Sequence, residues 1–128
     1  GLGAALLALG AELRSGVETV LDLVGFDEHV RDVDLVITGE GNMDEQSAAG
    51  KAPVGVARRA KRCGKPVIAV VGGRADNLDG VCERGIDLVL PICRKPMDLE
   101  QALNPQEATT NLICAGEAAA RSYDLGRI

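Results

Sequence analysis

The run Pro66-Val-Ile-Ala-Val-Val71 is apolar at every position, and it narrows the possible folds more than any other stretch of this chain. A strand with one solvated face alternates apolar and polar residues. A strand that is apolar throughout is buried on both faces, as strands are in parallel sheets covered by helices. Parallel neighbours need long crossover connections, usually helical, and the flanking sequence supplies them. Leu35-Val-Ile-Thr38 is a second β-favouring run, and Ile86-Asp-Leu-Val-Leu90 is a third, broken by Pro91. Between the first two, Pro53 suits an opening helical turn, and Val56, Ala57, Ala60 and Cys63 give an apolar stripe that stops at Gly64. Between the second and third, Leu78, Val81 and Cys82 line a shorter helix that ends before Gly85. The expected fold class is α/β: a Rossmann-like three-layer αβα arrangement with a short parallel sheet of about three strands and right-handed crossovers.

The ends of the chain carry helical signals. Ser15-Gly-Val-Glu18 has the spacing of a capping box, with Val17, Val20, Leu21 and Val24 on one face and Gly25 as the stop. Asp27 to Val33 is expected as a short connecting segment. Asp98 suits the cap of a short helix containing Leu99 and Leu103, and Asn104-Pro105-Gln-Glu107 is a second capping box. The last helix then presents Ala108, Leu112, Ala115 and Ala119 on one face. No internal repeat, low-complexity tract or linker interrupts the 128 residues, a length that suits one domain. A sheet this narrow keeps an exposed edge, which implies a covering partner.

Charge and composition remove several function classes. The formal net charge is −5, and the only basic tract is Arg58-Arg59-Ala-Lys61-Arg62. That tract lies opposite the apolar stripe of its helix and reads as a solvated face. With Phe26 and Tyr123 as the only aromatics, the chain lacks both the cationic surface and the stacking platforms of nucleic-acid binders. Its longest apolar runs are too short to cross a bilayer. The opening Gly1-Leu-Gly-Ala-Ala-Leu-Leu-Ala-Leu9 lacks the basic flank of a signal peptide. The first residue is not Met, as expected of a processed product or a fragment. Cys63, Cys82, Cys93 and Cys114 form no Cys-x-x-Cys pair, and His29 alone cannot complete a zinc set. Reduced thiols and a cytoplasmic protein are expected.

The chemistry gathers after the first strand, in Asp34-Leu-Val-Ile-Thr-Gly39-Glu40-Gly41, then Asn-Met-Asp44-Glu-Gln-Ser47, then Gly50-Lys51-Ala-Pro53. In open parallel sheets ligands bind beyond the carboxyl ends of the strands. Gly39 and Gly41 are expected to form a turn whose backbone approaches a phosphate; a plain strand-to-helix turn explains the same spacing. The run is neither the dinucleotide fingerprint, since Asp44 replaces its third glycine, nor a Walker A loop, since Glu45 and Ala52 occupy two of its fixed positions. Asp44 and Glu40 each suit a general base or a magnesium ligand, against the alternative of solvated loop charge. Glu45 is taken as solvated loop charge. Lys51 suits neutralisation of phosphoryl oxygens or is a surface lysine, and Ser47 is a ligand hydroxyl or a helix cap. Gly72 and Gly73 end the neighbouring strand and would line the same crevice, with Arg74 as a solvated loop charge.

These residues resemble a known family. Gly1-Leu-Gly-Ala-Ala-Leu-Leu-Ala, Gly10-Ala-Glu-Leu-Arg-Ser-Gly16, Asp34 to Gly41, Gly50-Lys-Ala-Pro-Val-Gly-Val-Ala57, Gly64-Lys-Pro-Val-Ile-Ala69 and Gly85-Ile-Asp87 are similar, in order, to the C-terminal part of bacterial type I glycerate kinases. The most specific part is Thr38-Gly-Glu-Gly-x-x-Asp44-x-Gln46-Ser47-x-x-Gly50-Lys51-x-Pro53. The resemblance implies ATP- and magnesium-dependent phosphoryl transfer to a hydroxyl of D-glycerate, giving 2-phosphoglycerate. It implies that residues 1–128 are the closing segment of a Rossmann-like domain whose N-terminal remainder completes the cleft. On that reading the segment alone is inactive and forms a homo-oligomer, such as a dimer, without nucleic acid or membrane. Asp44, Glu40 and Lys51 would then be catalytic, with Asp44 and Glu40 near magnesium. Gly39, Gly41, Ser47, Gly72 and Gly73 would contact substrate or phosphate. Two other readings stay open: a non-catalytic oligomerisation module, and a binding domain for a small phosphorylated metabolite. Asn42-Met43 replaces the family's usual Arg-Ile, Glu45 replaces a small hydroxyl residue, and the Gly72-Gly73-Arg74 stretch lacks a hydroxyl. These departures leave room for a different acceptor.

Overall fold

The apolar run at Val67 does become the centre of a parallel sheet. In the computed structural model, which describes residues 1–126, strands β1 (Val36–Met43), β2 (Val67–Arg74) and β3 (Leu88–Pro91) pair in the order β1-β2-β3. Both pairings are parallel, with Val36 opposite Val67, Glu40 opposite Val71, and Ile68 opposite Leu88. Helix α4 (Ala52–Arg62) crosses from β1 to β2, and the short α5 (Asp79–Cys82) crosses from β2 to β3. Before the sheet come α1 (Leu2–Ala8), α2 (Gly16–Leu23) and α3 (Phe26–Arg31); after it come α6 (Leu99–Leu103) and α7 (Pro105–Leu125).

The core lies between the sheet and α4. Val67, Ala69 and Val71 alternate onto one face of β2 and meet Val54, Ala57 and Ala60, with Val36, Val81 and Ile86 completing the cluster. Burying each valine or isoleucine side chain stabilises the fold by roughly 1.5–3 kcal/mol. The other face of β2 and β3 is covered by α7, whose small buried residues Ala115 and Ala119 let helix and sheet approach closely. These are the three layers that the sequence implies. The second helical layer stops short of β1: Ile37, pointing to that side, is 54% exposed.

Several local expectations need correction. The segment after Gly25 is helical, because Gly25 adopts a left-handed conformation (φ 62°) that ends α2 and directly starts α3. The capping box expected at Ser15 does not form, as the Ser15 side chain makes no cap hydrogen bond. Of the expected apolar stripe on α2, Leu21 is buried while Val20 and Val24 are exposed. On α7 it is Asn111, not Leu112, that points inward.

Arg59, expected on a solvated face, is buried. Its Nε and Nη2 donate to the two carboxylate oxygens of Asp27 at 2.8 and 2.9 Å. Its Nη1 donates to Glu18 at 3.0 Å and to Asp22 at 2.7 Å. Hydrogen bonds to Asp27, Asp22 and Glu18 raise the guanidinium's already high pKa further. The Arg59 hydrogen bond in turn holds the Asp27 carboxyl below the usual carboxylate range. One side chain of α4 thereby fastens α2 and α3 to the layer that carries the core.

Candidate active site

β1 does not turn at Gly39-Glu40-Gly41, as expected from the sequence, but continues in extended form to Met43. β2 likewise runs on through Gly72 and Gly73 to Arg74. The glycines are what let the two strand ends lie so close. A Cβ on Gly72 would stand 2.5 Å from the carbonyl oxygen of Gly41, and one on Gly73 would stand 2.8 Å from Oδ1 of Asn42. A Cβ on Gly39 would meet the Val70 carbonyl at 3.0 Å. Gly39, Gly72 and Gly73 therefore have a packing reason of their own, whereas a Cβ on Gly41 would meet nothing within 4 Å. The carboxyl ends of β1 and β2 finish side by side, with Met43 opposite Arg74 and the Ala75 N–H donating to the Met43 carbonyl at 2.8 Å.

Asp44 is the first residue beyond that paired end. It caps a short 3₁₀ helix (Glu45–Ala49) through a reciprocal capping box with Ser47. The Ser47 N–H donates to Asp44 Oδ1 at 3.0 Å, and the Ser47 hydroxyl donates to the same oxygen at 3.1 Å. The Asp44 N–H donates back to Ser47 Oγ at 3.1 Å. Lys51, the residue that opens α4, brings Nζ to 3.5 Å from Oδ1. Partial desolvation pushes the Asp44 carboxyl up, but the two Ser47 hydrogen bonds and the Lys51 charge outweigh it, so its pKa lies below the usual range. Asp44 is a standing anion.

Glu40 is half-buried, and its Oε1 accepts the Gly41 N–H at 3.1 Å. By register it shares the α4 face of the sheet with Val71. Glu45 is exposed and accepts a hydrogen bond from Asn77 Nδ2 at 3.2 Å. Arg74 is exposed and hydrogen-bonds the backbone carbonyls of Ala75 and Asp76. His29 lies on α3. Asp44, Ser47 and Lys51 are thus brought into direct contact, Glu40 precedes them on β1, and Gly72 and Gly73 flank them on β2. Two supports were not foreseen: Asn77 at Glu45, and Arg84, whose Nη1 donates to the Ala48 carbonyl. Their partners lie 32 and 36 residues away in the chain, so no local pattern announces them.

No group of three or more His, Cys, Asp or Glu able to hold a metal occurs among the described residues. Magnesium, however, is often held by only one or two carboxylates, with substrate phosphates and water completing its shell. Glu40 and Asp44 fit that lighter role, each with one oxygen engaged in described contacts and the other without one. Among the described residues no helix is long and apolar enough to cross a membrane.

A parallel three-stranded sheet with helices on both faces defines a Rossmann-like α/β protein, and its carboxylates, lysine and close-packed glycines gather at the carboxyl ends of β1 and β2. Comparison with known proteins is more specific. The glycerate kinase family profile matches residues 1–124, and the chain belongs to that family. It is 48% identical over 120 residues to a Bacillus cereus glycerate kinase, matching 93% of this chain and 32% of that protein. It is 42% identical over 127 residues to the glycerate 2-kinase of Escherichia coli, matching 98% and 33% respectively. A crystal structure of a proposed glycerate kinase 2 from Salmonella typhimurium LT2 superposes with a TM-score of 0.64 at 38% identity, over 98% of this chain and 32% of that one. The chain thus spans about a third of the length of these relatives.

Proposed function

We propose that this chain is the closing segment of a cytoplasmic ATP-dependent kinase that phosphorylates a hydroxyl of D-glycerate to give 2-phosphoglycerate. The observation that carries the reading is Asp44: a standing carboxylate with one oxygen held and the other open, at the carboxyl end of β1 in a glycerate kinase family chain. In phosphoryl transfer the protein contributes positioning and charge neutralisation rather than covalent chemistry. The attacking hydroxyl forms a bond to the γ-phosphorus while the bond from that phosphorus to the ADP oxygen breaks. Asp44 orients the hydroxyl and takes its proton as the new bond forms. Lys51 faces the phosphoryl oxygens, and the backbone at Gly41, where a side chain would meet nothing, leaves room for them, while Gly39, Gly72 and Gly73 hold the strand ends together beside it. Magnesium, when bound with the nucleotide, offsets phosphate charge, and Glu40 is the carboxylate we assign to its shell.

The uncovered side of β1 at Ile37 and the sheet edges, unpaired among the described residues, support the view that the family's remaining two-thirds supplies the other wall of a cleft. By itself the 128-residue chain should therefore be inactive and should self-associate through that face. The test is a coupled assay of the full-length protein with ATP, magnesium and D-glycerate, with product position read by phosphorus NMR. The 128-residue chain is run beside it and sized by light scattering. Turnover by the short chain as a monomer would overturn the two-wall reading. Failure of the full-length protein to phosphorylate D-glycerate would overturn the assigned substrate.

A further inference from the structure

We propose that Ser47 is a positioning residue, which acts on the substrate only through Asp44 by fixing Oδ1 and so aiming Oδ2 at the acceptor hydroxyl. The inference rests on the phosphoryl-transfer reading above and extends it to a residue that cannot itself touch a ligand.

The two oxygens of Asp44 are not equivalent. Oδ1 takes the Ser47 N–H, the Ser47 O–H and the Lys51 ammonium at 3.0, 3.1 and 3.5 Å. Oδ2 takes none of the described contacts. No buried side-chain oxygen or nitrogen lacks a partner among the described residues, so Oδ2 must be open to solvent; the Asp44 side chain as a whole is 34% exposed. Ser47 is the reverse case. It is fully buried, its one O–H is donated to Oδ1, and its oxygen already accepts the Asp44 N–H. A hydroxyl so enclosed and engaged has no donor left for a phosphate.

An ordinary helix cap needs one hydrogen bond from the helix to the capping side chain. Here two donors of one residue converge on one carboxylate oxygen, while the return bond ties the backbone of Asp44 to the same hydroxyl. The carboxylate cannot rotate to exchange its oxygens without breaking both. That constraint adds little to holding a five-residue 3₁₀ helix. It adds much to holding Oδ2 within a fraction of an ångström of an attacking hydroxyl, where small misplacements are costly.

The test is a double-mutant cycle in the full-length protein, assayed with ATP, magnesium and D-glycerate. Ser47→Ala should lower kcat about 10- to 100-fold, as loss of an orienting partner does, with KM for both substrates changed less than about twofold. Added to Asp44→Asn, Ser47→Ala should have no further effect on kcat, because its route through the carboxylate is already cut. Ser47→Cys, close in shape and a weaker donor, serves if Ser47→Ala does not fold, and circular dichroism melting checks each variant. A folded Ser47 variant at wild-type kcat, or one whose loss multiplies with that of Asp44→Asn, would overturn the positioning role. Wild-type turnover by Asp44→Asn would instead overturn the underlying assignment of Asp44, and the inference with it.

Discussion

At the start of the 3₁₀ helix, Asp44 and Ser47 stand three residues apart and close a reciprocal capping box. At the start of α2, Ser15 and Glu18 stand three residues apart and do not; Glu18 instead accepts a hydrogen bond from Arg59 at 3.0 Å. Helix α7 lies between these cases. Asn104 accepts the N–H groups of Gln106 and Glu107, while the Glu107 carboxylate accepts from Arg94 at 3.0 Å. The spacing is shared, but where the third helical residue is a glutamate an arginine takes its carboxylate, and at α7 the Asn104 N–H is also already donated to the Gln101 carbonyl at 3.2 Å. A guanidinium offers a carboxylate a charged, often bidentate partner, which a backbone N–H cannot match. Lys51 is also near Asp44, but at 3.5 Å, half-exposed and carrying a strongly hydrated point charge. It adds to the box without dismantling it. In both failed boxes with a glutamate at the third helical position an arginine holds that carboxylate, and the box that closes is the one that shapes the candidate active site.

The largest effect that would test this comparison is Asp44→Asn in the full-length protein. Asparagine caps a helix about as well as aspartate, so the melting temperature should hardly move. Turnover should fall by at least about a hundredfold, as for removal of a positioned base. If turnover persists while stability falls, the surviving box is structural only, no different in kind from the cap on α7.

Next in size is Arg59→Met, which keeps much of the buried stem but frees Glu18, Asp22 and Asp27. Chemical denaturation should show a clear loss of stability, with turnover per folded molecule unchanged. The loss has a pH signature. Asp27 has a folded-state pKa below its ordinary value, so its contribution is complete above pH about 3.9 and fades as pH falls through the lower folded value. The variant lacks this contribution, and its freed carboxylates repel one another until protonated. The stability gap between wild type and Arg59→Met should therefore narrow on acidification below pH about 4. A gap that stays constant there would mean Arg59 stabilises by packing rather than by charge.

What was legible in the sequence follows the same division between local and distant causes. The buried strand at Val67 and the crossover helix after Pro53 were legible because apolar runs and stripes record burial directly. The carboxyl-terminal halves of β1 and β2 were not: glycine has no side chain to show a pattern, and Gly39-Glu40-Gly41 and Gly72-Gly73 read as turns. The reason for Gly39, Gly72 and Gly73 lies across the sheet, in close approach to Val70, Gly41 and Asn42. Asp44, Ser47 and Lys51 were legible as a cluster because they lie within eight positions of each other. Ser47's two readings, ligand hydroxyl or cap, could be separated only by its burial. Arg59 was misread because its partners lie 32 to 41 residues away, beyond any helical period.

A smaller effect is expected at α7. Asn104→Ala removes the side chain that accepts two helix N–H groups, which should cost about 1 kcal/mol by denaturant titration. The Arg94–Glu107 pair does not replace it, because it satisfies none of those N–H groups.

The smallest effect belongs to Ser15→Ala, and it is the sharpest test of the comparison. The Ser15 carbonyl accepts the Thr19 N–H at 3.0 Å and the Thr19 hydroxyl at 2.9 Å, and alanine keeps both. The side chain caps nothing, so stability should change by no more than a few tenths of a kcal/mol, within the range of an uninvolved surface position. A loss near that of Asn104→Ala would mean that the box at α2 forms in solution and that Arg59 does not hold Glu18. The same substitution made on Arg59→Met should behave differently. There Glu18 is free to reach back to the Ser15 N–H, and Ser15 to cap the helix. Ser15→Ala should then cost more than it does with Arg59 present. That gain in cost is a direct measure of the competition between guanidinium and backbone for one carboxylate.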